Sequence, residues 1–102
     1  MIENKFRLQY LQTALDDLIG ILDYIAQDSI EIAHSFVNKI EKRITSLESH
    51  PLLGKIPRLK KLRRQGFRLL VVESYLIFYS IGEHTVYIHR VIHGARHLED
   101  IF

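Results

Sequence analysis

A chain of 102 residues, 47% of them hydrophobic, has room for one core, so residues 1–102 read as a single domain. Cysteine is absent, which excludes disulfides, thiolate nucleophiles and thiolate metal sites and leaves stability to packing. No run approaches about 18 apolar residues and the opening MIENKFRLQY lacks a basic-then-apolar order, so neither a membrane span nor an export signal is expected and a cytoplasmic location is the default.

Net charge is only +2, but the charges are segregated. Lys55, Arg58, Lys60, Lys61, Arg63, Arg64 and Arg68 follow one another with no acid between, whereas Asp16, Asp17, Asp23, Asp28 and Glu31 occupy a stretch with no base. A basic patch of this kind concentrates polyanions, so an acidic protein or a nucleic acid is the expected partner, unless the segment is simply a solvated loop.

In chain order, Lys5 to Tyr10 alternates, with Phe6, Leu8 and Tyr10 on one side, and predicts a short strand at a sheet edge. Thr13 with Asp16 reads as a cap and an acid three residues on. Leu15, Leu18, Ile19, Leu22, Ile25 and Ala26 recur at helical spacing, predicting a helix over about 13–27. Asp28 with Glu31 restarts the pattern, and Ala33, Phe36, Val37, Ile40, Ile44 and Leu47 form a second stripe that ends at Ser49-His50-Pro51. Two helices joined so closely form an antiparallel hairpin.

Residues 50–61 hold both prolines and Gly54 and read as a connection. Beyond them three strands are expected, Phe67 to Val72, Tyr75 to Ile81 and Thr85 to Ile92, with separators short enough for hairpin turns. Their near-continuous apolarity requires cover on both faces: the helix pair on one, something else on the other. The fold class is therefore α+β, an N-terminal strand and a helical hairpin followed by a three-stranded antiparallel meander, with the helices packed on one curved sheet.

The chemistry-bearing residues crowd the end of the chain, in RVIHGARHLEDIF. His89, His93 and His97 are spaced by four, but on a strand four residues span roughly 13 Å, too far for one ion, and His93 with His97 would lack a third ligand; no metal site is expected. Acid-base work on a phosphodiester is a second reading. Cleavage through a 2′-hydroxyl needs a base, an acid and cations, and His93, His97, Arg90, Arg96 and Arg68 are the right residue types. Recognition without bond making is the third, the same cations gripping an anion beside Tyr75, Tyr79 and Tyr87. Gly54-Lys55 lacks the pattern of a phosphate-binding loop, no dinucleotide fingerprint or nucleophile elbow is present, and no cofactor is implied. Asp16 and Asp17 diverge by about 100° on a helix and read as its wet face.

These segments, LDYIAQDS, IEIAHSFVNKI, RITSLESHPLLGKIP, LRRQGFRLLVVESYLIFYSI and VYIHRVIHGARHLEDIF, together resemble the RelE/ParE superfamily of bacterial type II toxins. The specific pieces are Leu47, Pro51 and Gly54; Tyr75, Ile77 and Tyr79; and Arg90, Val91, His93, Gly94 and Arg96. The resemblance implies a basic concave sheet face, a cognate antitoxin that wraps the toxin in a hetero-oligomer, growth inhibition and plasmid stabilization. The superfamily divides between RelE-like members, metal-independent endoribonucleases that cut mRNA in the ribosome, and ParE-like members that poison DNA gyrase. In the nuclease reading Arg68, Arg90 and Arg96 hold phosphate and His93 or His97 moves the proton, while Lys60, Lys61, Arg63 and Arg64 bind phosphate or target. No tyrosine follows Tyr87, which departs from the commonest nuclease arrangement, and the H-G-A-R ending lies closer to ParE. The other expectation is a non-toxic basic binding module for an acidic protein or nucleic acid.

Overall fold

The structure, a computed structural model, describes residues 5–96, Leu98, Ile101 and Phe102. Its elements are β1 (Arg7–Tyr10), α1 (Gln12–Ala26), α2 (Ile30–Thr45) running into a 3-10 turn (Ser46–Glu48), α3 (Lys60–Arg64), β2 (Arg68–Val72), β3 (Tyr75–Ile81) and β4 (Thr85–His93). The sheet order is β1-β4-β3-β2, with β1 parallel to β4 and the other pairs antiparallel, so it is one open mixed sheet. No described helix is long and apolar enough to cross a membrane.

Both helices are amphipathic, and they bury Ala14, Leu18, Ile21, Ile40 and Ile44 against Leu70, Val72, Ile77, Tyr79, Val86, Ile88 and Val91 of the sheet. Alternate residues of the same strands, Phe78 and Ile92, meet Leu62 of α3 and Phe67 on the opposite face, with Leu98, Ile101 and Phe102 packed over them. This second layer is why β3 carries no polar face: side chains of both parities lose water, each fully buried one contributing about 1.5–3 kcal/mol.

Three expectations need correction. The residues read as connection contain the start of α3, a five-residue helix too short to show periodicity, anchored by the fully buried Leu62. The caps also differ. α1 begins at Gln12 with no side-chain cap, and Thr13 instead donates to the carbonyl of His89 at 2.7 Å; at α2 it is Ser29, not Asp28, whose hydroxyl accepts from the Ile32 amide. Finally, Asp16 lies on the wet face of α1 but Asp17 does not. Its carboxylate accepts from Arg90 Nε at 2.7 Å, Arg90 Nη2 at 3.0 Å and the Val91 amide at 2.9 Å.

These contacts solve a topological problem. β1 pairs with β4 only as far as Tyr10 opposite Ile88, leaving the rest of that edge open. Open edges are covered in folded proteins. Here the Leu11 amide takes the Ile88 carbonyl, and Thr13 and Asp17, four apart on one face of α1, take the His89 carbonyl and the Val91 amide. The helix side chains continue the pairing that the strand began.

Candidate functional site

The motif residues around Pro51 and Gly54 interlock with the central strand. The buried Tyr79 hydroxyl donates to the Pro51 carbonyl and accepts from the Gly54 amide, each at 2.8 Å. A Cβ on Gly54 would lie 2.6 Å from that hydroxyl, so the close approach requires glycine. Arg68 Nη1 donates to the Gly54 carbonyl at 2.7 Å. Burial pushes the Tyr79 phenol up, against the opposing pull of the Gly54 amide and the Arg68 charge. Pro51, Gly54, Tyr79 and Arg68 thus form one clasp that ties the loop after α2 to β2 and β3, with Leu47 buried in the core beneath the hairpin.

At the other end of the sheet, α1 and the end of β4 enclose an open cleft of about 450 Å³. Asp16, Gly20 and Tyr24 form one wall, at positions four apart on α1; Tyr75, His93 and Arg96 form the other, over a floor that includes the buried Ile21 and Val91. The Tyr75 and His93 rings meet edge to face, centroids 5.2 Å apart. A turn after β4 brings Arg96 back: its amide donates to the His93 carbonyl, and the Gly94 amide reaches the Ser74 carbonyl.

The five residues expected to act together are therefore dispersed. His93 and Arg96 share this cleft. Arg90 is bound by Asp17, which raises the pKa of its guanidinium by the hydrogen bonds and charge of that carboxylate against some desolvation, and the pair is shielded at 24% and 15% side-chain exposure. Arg68 stands on β2, opposite Tyr79, with β3 between it and β4. His97 lies outside the described residues. His89 faces the second layer, its ring edge-on to Phe67 at 4.6 Å and Nε2 hydrogen-bonded to the Ser80 hydroxyl at 2.8 Å; burial lowers its pKa. Lys60, Lys61, Arg63 and Arg64 surround Leu62 on the exposed sides of α3. Of these, Lys61 donates to the Phe102 carbonyl and Arg63 to the Arg58 carbonyl, leaving Lys60 and Arg64 with no partner among the described residues. No group of three metal-ligating side chains occurs among the described residues.

Gly20 and Tyr24 escaped the sequence reading, and Asp17 is the residue taken there for part of the wet face. Two signals for them exist: a Thr and an Asp four apart directly after an edge strand, and a lone glycine inside a helical apolar pattern.

Comparison with known proteins agrees with this architecture. Residues 8–98 match the family described as ParE toxin of type II toxin-antitoxin system, parDE. The chain is 35% identical over 83 residues to Toxin RelE2 of Caulobacter vibrioides, covering 81% of this chain and 89% of that protein. Among solved structures it is similar to a chain of the chromosomal ParDE system from P. aeruginosa (TM-score 0.73, 20% identity, covering 88% of this chain and 97% of that one). It is also similar to one of the RelBE2 toxin-antitoxin complex from Mycobacterium tuberculosis (TM-score 0.61, 24% identity, covering 87% and 98%). With the match running from the first strand to past the last, the chain belongs to the ParE toxin family of type II toxin-antitoxin systems, as a toxin component.

Proposed function

We propose that this toxin inhibits growth by holding a protein target, in the ParE manner with DNA gyrase as that target, and that it does not cut RNA. The supporting observation is the engagement of Arg90 by Asp17, which removes the central cation of the nuclease set. Cleavage through a 2′-hydroxyl needs base, acid and charge stabiliser within hydrogen-bond reach of one phosphodiester. Arg68 is two strands from Arg90, about 10 Å across the sheet, and the second sheet face is filled by Phe67, Phe78, Ile92 and Phe102 rather than by cations. His93 and Arg96 remain as a polar pair at the cleft. With Lys60, Lys61, Arg63 and Arg64 on α3 they are suited to gripping an acidic surface.

The cognate antitoxin is the second partner in this reading, forming a hetero-oligomer in the cytoplasm, with plasmid stabilization as its consequence. The two structural neighbours come from systems of that kind. A non-toxic adaptor is not favoured by membership of the family.

The test is induction of the chain alone in a bacterial host, following growth, DNA breaks and supercoiling, and transcript integrity in the same cells. Growth arrest with DNA breaks and intact transcripts is expected, with rescue by the antitoxin. Transcript cutting that disappears when His93→Gln and His97→Gln are combined would overturn the gyrase reading, and unchanged growth would overturn the toxin reading.

A further inference from the structure

Exposed aliphatic side chains are ordinary when scattered and informative when they share one surface. Leu53, Ile56 and Val71 are 46%, 60% and 43% exposed. They line two hollows of about 270 and 350 Å³ that meet at Lys55 and Leu69, beside the edge strand β2. Arg43, Lys55 and Arg58 stand among them, and no described Asp or Glu lines either hollow. The backbone that carries this surface is tied down. Tyr79 holds Pro51 and Gly54, Arg68 holds the Gly54 carbonyl, Lys55 and Leu69 exchange backbone hydrogen bonds at 2.9 and 2.8 Å, and Arg63 donates to the Arg58 carbonyl at 2.8 Å. None of these ties uses the Lys55 ammonium or the Arg58 guanidinium, which have no partner among the described residues. Side chains shown on a pre-ordered loop give up less freedom when a partner covers them.

We infer that this surface grips the toxin's protein target through a segment that carries acidic side chains around a large aliphatic anchor. The anchor enters the larger hollow against Ile56, Leu59 and Leu69, and the acids meet Lys55, Arg58 and Arg43. A nucleic acid fits less well. Phosphates would answer the cations but leave the aliphatic side chains in water, and no aromatic ring lines either hollow for a base to stack on. Continuity favours the target over the antitoxin as occupant. Leu59 is the N-cap of α3 and Arg63 of that helix is tied to Arg58, so the surface runs directly into the cations already given to the target. The inference rests on the reading of a toxin that holds gyrase, and adds to it where the hold is made and by what chemistry.

The test measures binding of the full-length chain to purified DNA gyrase, to the antitoxin polypeptide and to a bare DNA duplex, together with inhibition of supercoiling and thermal unfolding. Lys55→Glu combined with Arg58→Glu should weaken gyrase binding and inhibition by about tenfold or more, and Ile56→Asp should do the same, whereas Ile56→Leu keeps both. All the altered side chains are exposed, so melting temperatures should stay within about 4 °C of the parent, and antitoxin affinity should not change. Parent-like gyrase binding by both the charge-reversed and the Ile56→Asp chains would overturn the inference. So would a loss of antitoxin binding with gyrase binding intact, which would give the surface to the antitoxin, or a loss confined to the DNA duplex, which would make it a phosphate-binding patch. A parent chain that neither binds nor inhibits gyrase would instead overturn the gyrase reading, and this inference with it.

Discussion

Asp17 shows how one residue reverses the meaning of its neighbours. Arg90 looks like a free phosphate-binding cation because the sequence places it beside His89, His93 and Arg96 and far from any acid. Its partner lies 73 residues earlier, and nothing in the local pattern announces it. Once the bidentate contact is formed, Arg90 serves the junction of α1 with β4, and the carboxylate simultaneously holds the Val91 amide. Asp17→Ala leaves a shielded guanidinium and a strand amide without acceptors, and should cost about 2–4 kcal/mol, read as a lower urea midpoint at unchanged slope. Asp17→Asn, which keeps one acceptor, should cost less. Equal midpoints for Asp17→Ala and the parent would mean that water replaces the carboxylate at the strand edge.

At the scale of elements, the legible parts were those with a strong period. The expected bounds of β3 coincide with the observed Tyr75–Ile81, and β1, α1, α2, β2 and β4 fall within a few residues of expectation, because hydrophobic repetition over four or more residues is a direct image of burial. α3 and the capping contacts were not legible, since a five-residue helix has no period and a threonine used across the sheet looks the same in sequence as one used at a helix end. The LxxxP-x-x-G and Y-x-I-x-Y pieces were recognisable as motifs, but their meaning as a single clasp required the fold to bring Gly54 and Tyr79 together across 25 residues. That clasp predicts its own mutants. Tyr79→Phe removes a hydroxyl that serves two backbone groups and should cost about 1–3 kcal/mol. Gly54→Ala should cost at least as much, because its Cβ collides with the same ring, and in Tyr79→Phe the penalty of Gly54→Ala should shrink. Strictly additive losses in a double-mutant cycle would show that the two residues act separately.

For the whole molecule, the sheet divides two apolar layers of unequal size. The larger is built by the helical hairpin; the smaller depends on α3 and on Leu98, Ile101 and Phe102, with Phe102 tilted against Phe67 and Phe78 at centroid distances of 5.6 and 4.9 Å. The expectation that both faces are covered came from the unbroken apolarity of β3, whereas what covers the second face was unreadable, because the closing residues lie beyond a basic, histidine-rich stretch that draws attention to chemistry instead. His89 belongs to this smaller layer, between Phe67 and Ser80, and burial lowers its pKa from the ordinary 6.5. The folded protein therefore holds His89 neutral, and the unfolded chain takes up its proton more readily. This contribution to stability is complete above about pH 6.5 and declines as pH falls through the lowered folded value. The melting temperature should accordingly drop between pH 7.5 and pH 5.5, and drop less in His89→Gln, which retains a polar group for Ser80 but cannot charge. Identical acid dependence in the two proteins would place the titrating group elsewhere and leave the second layer insensitive to protons.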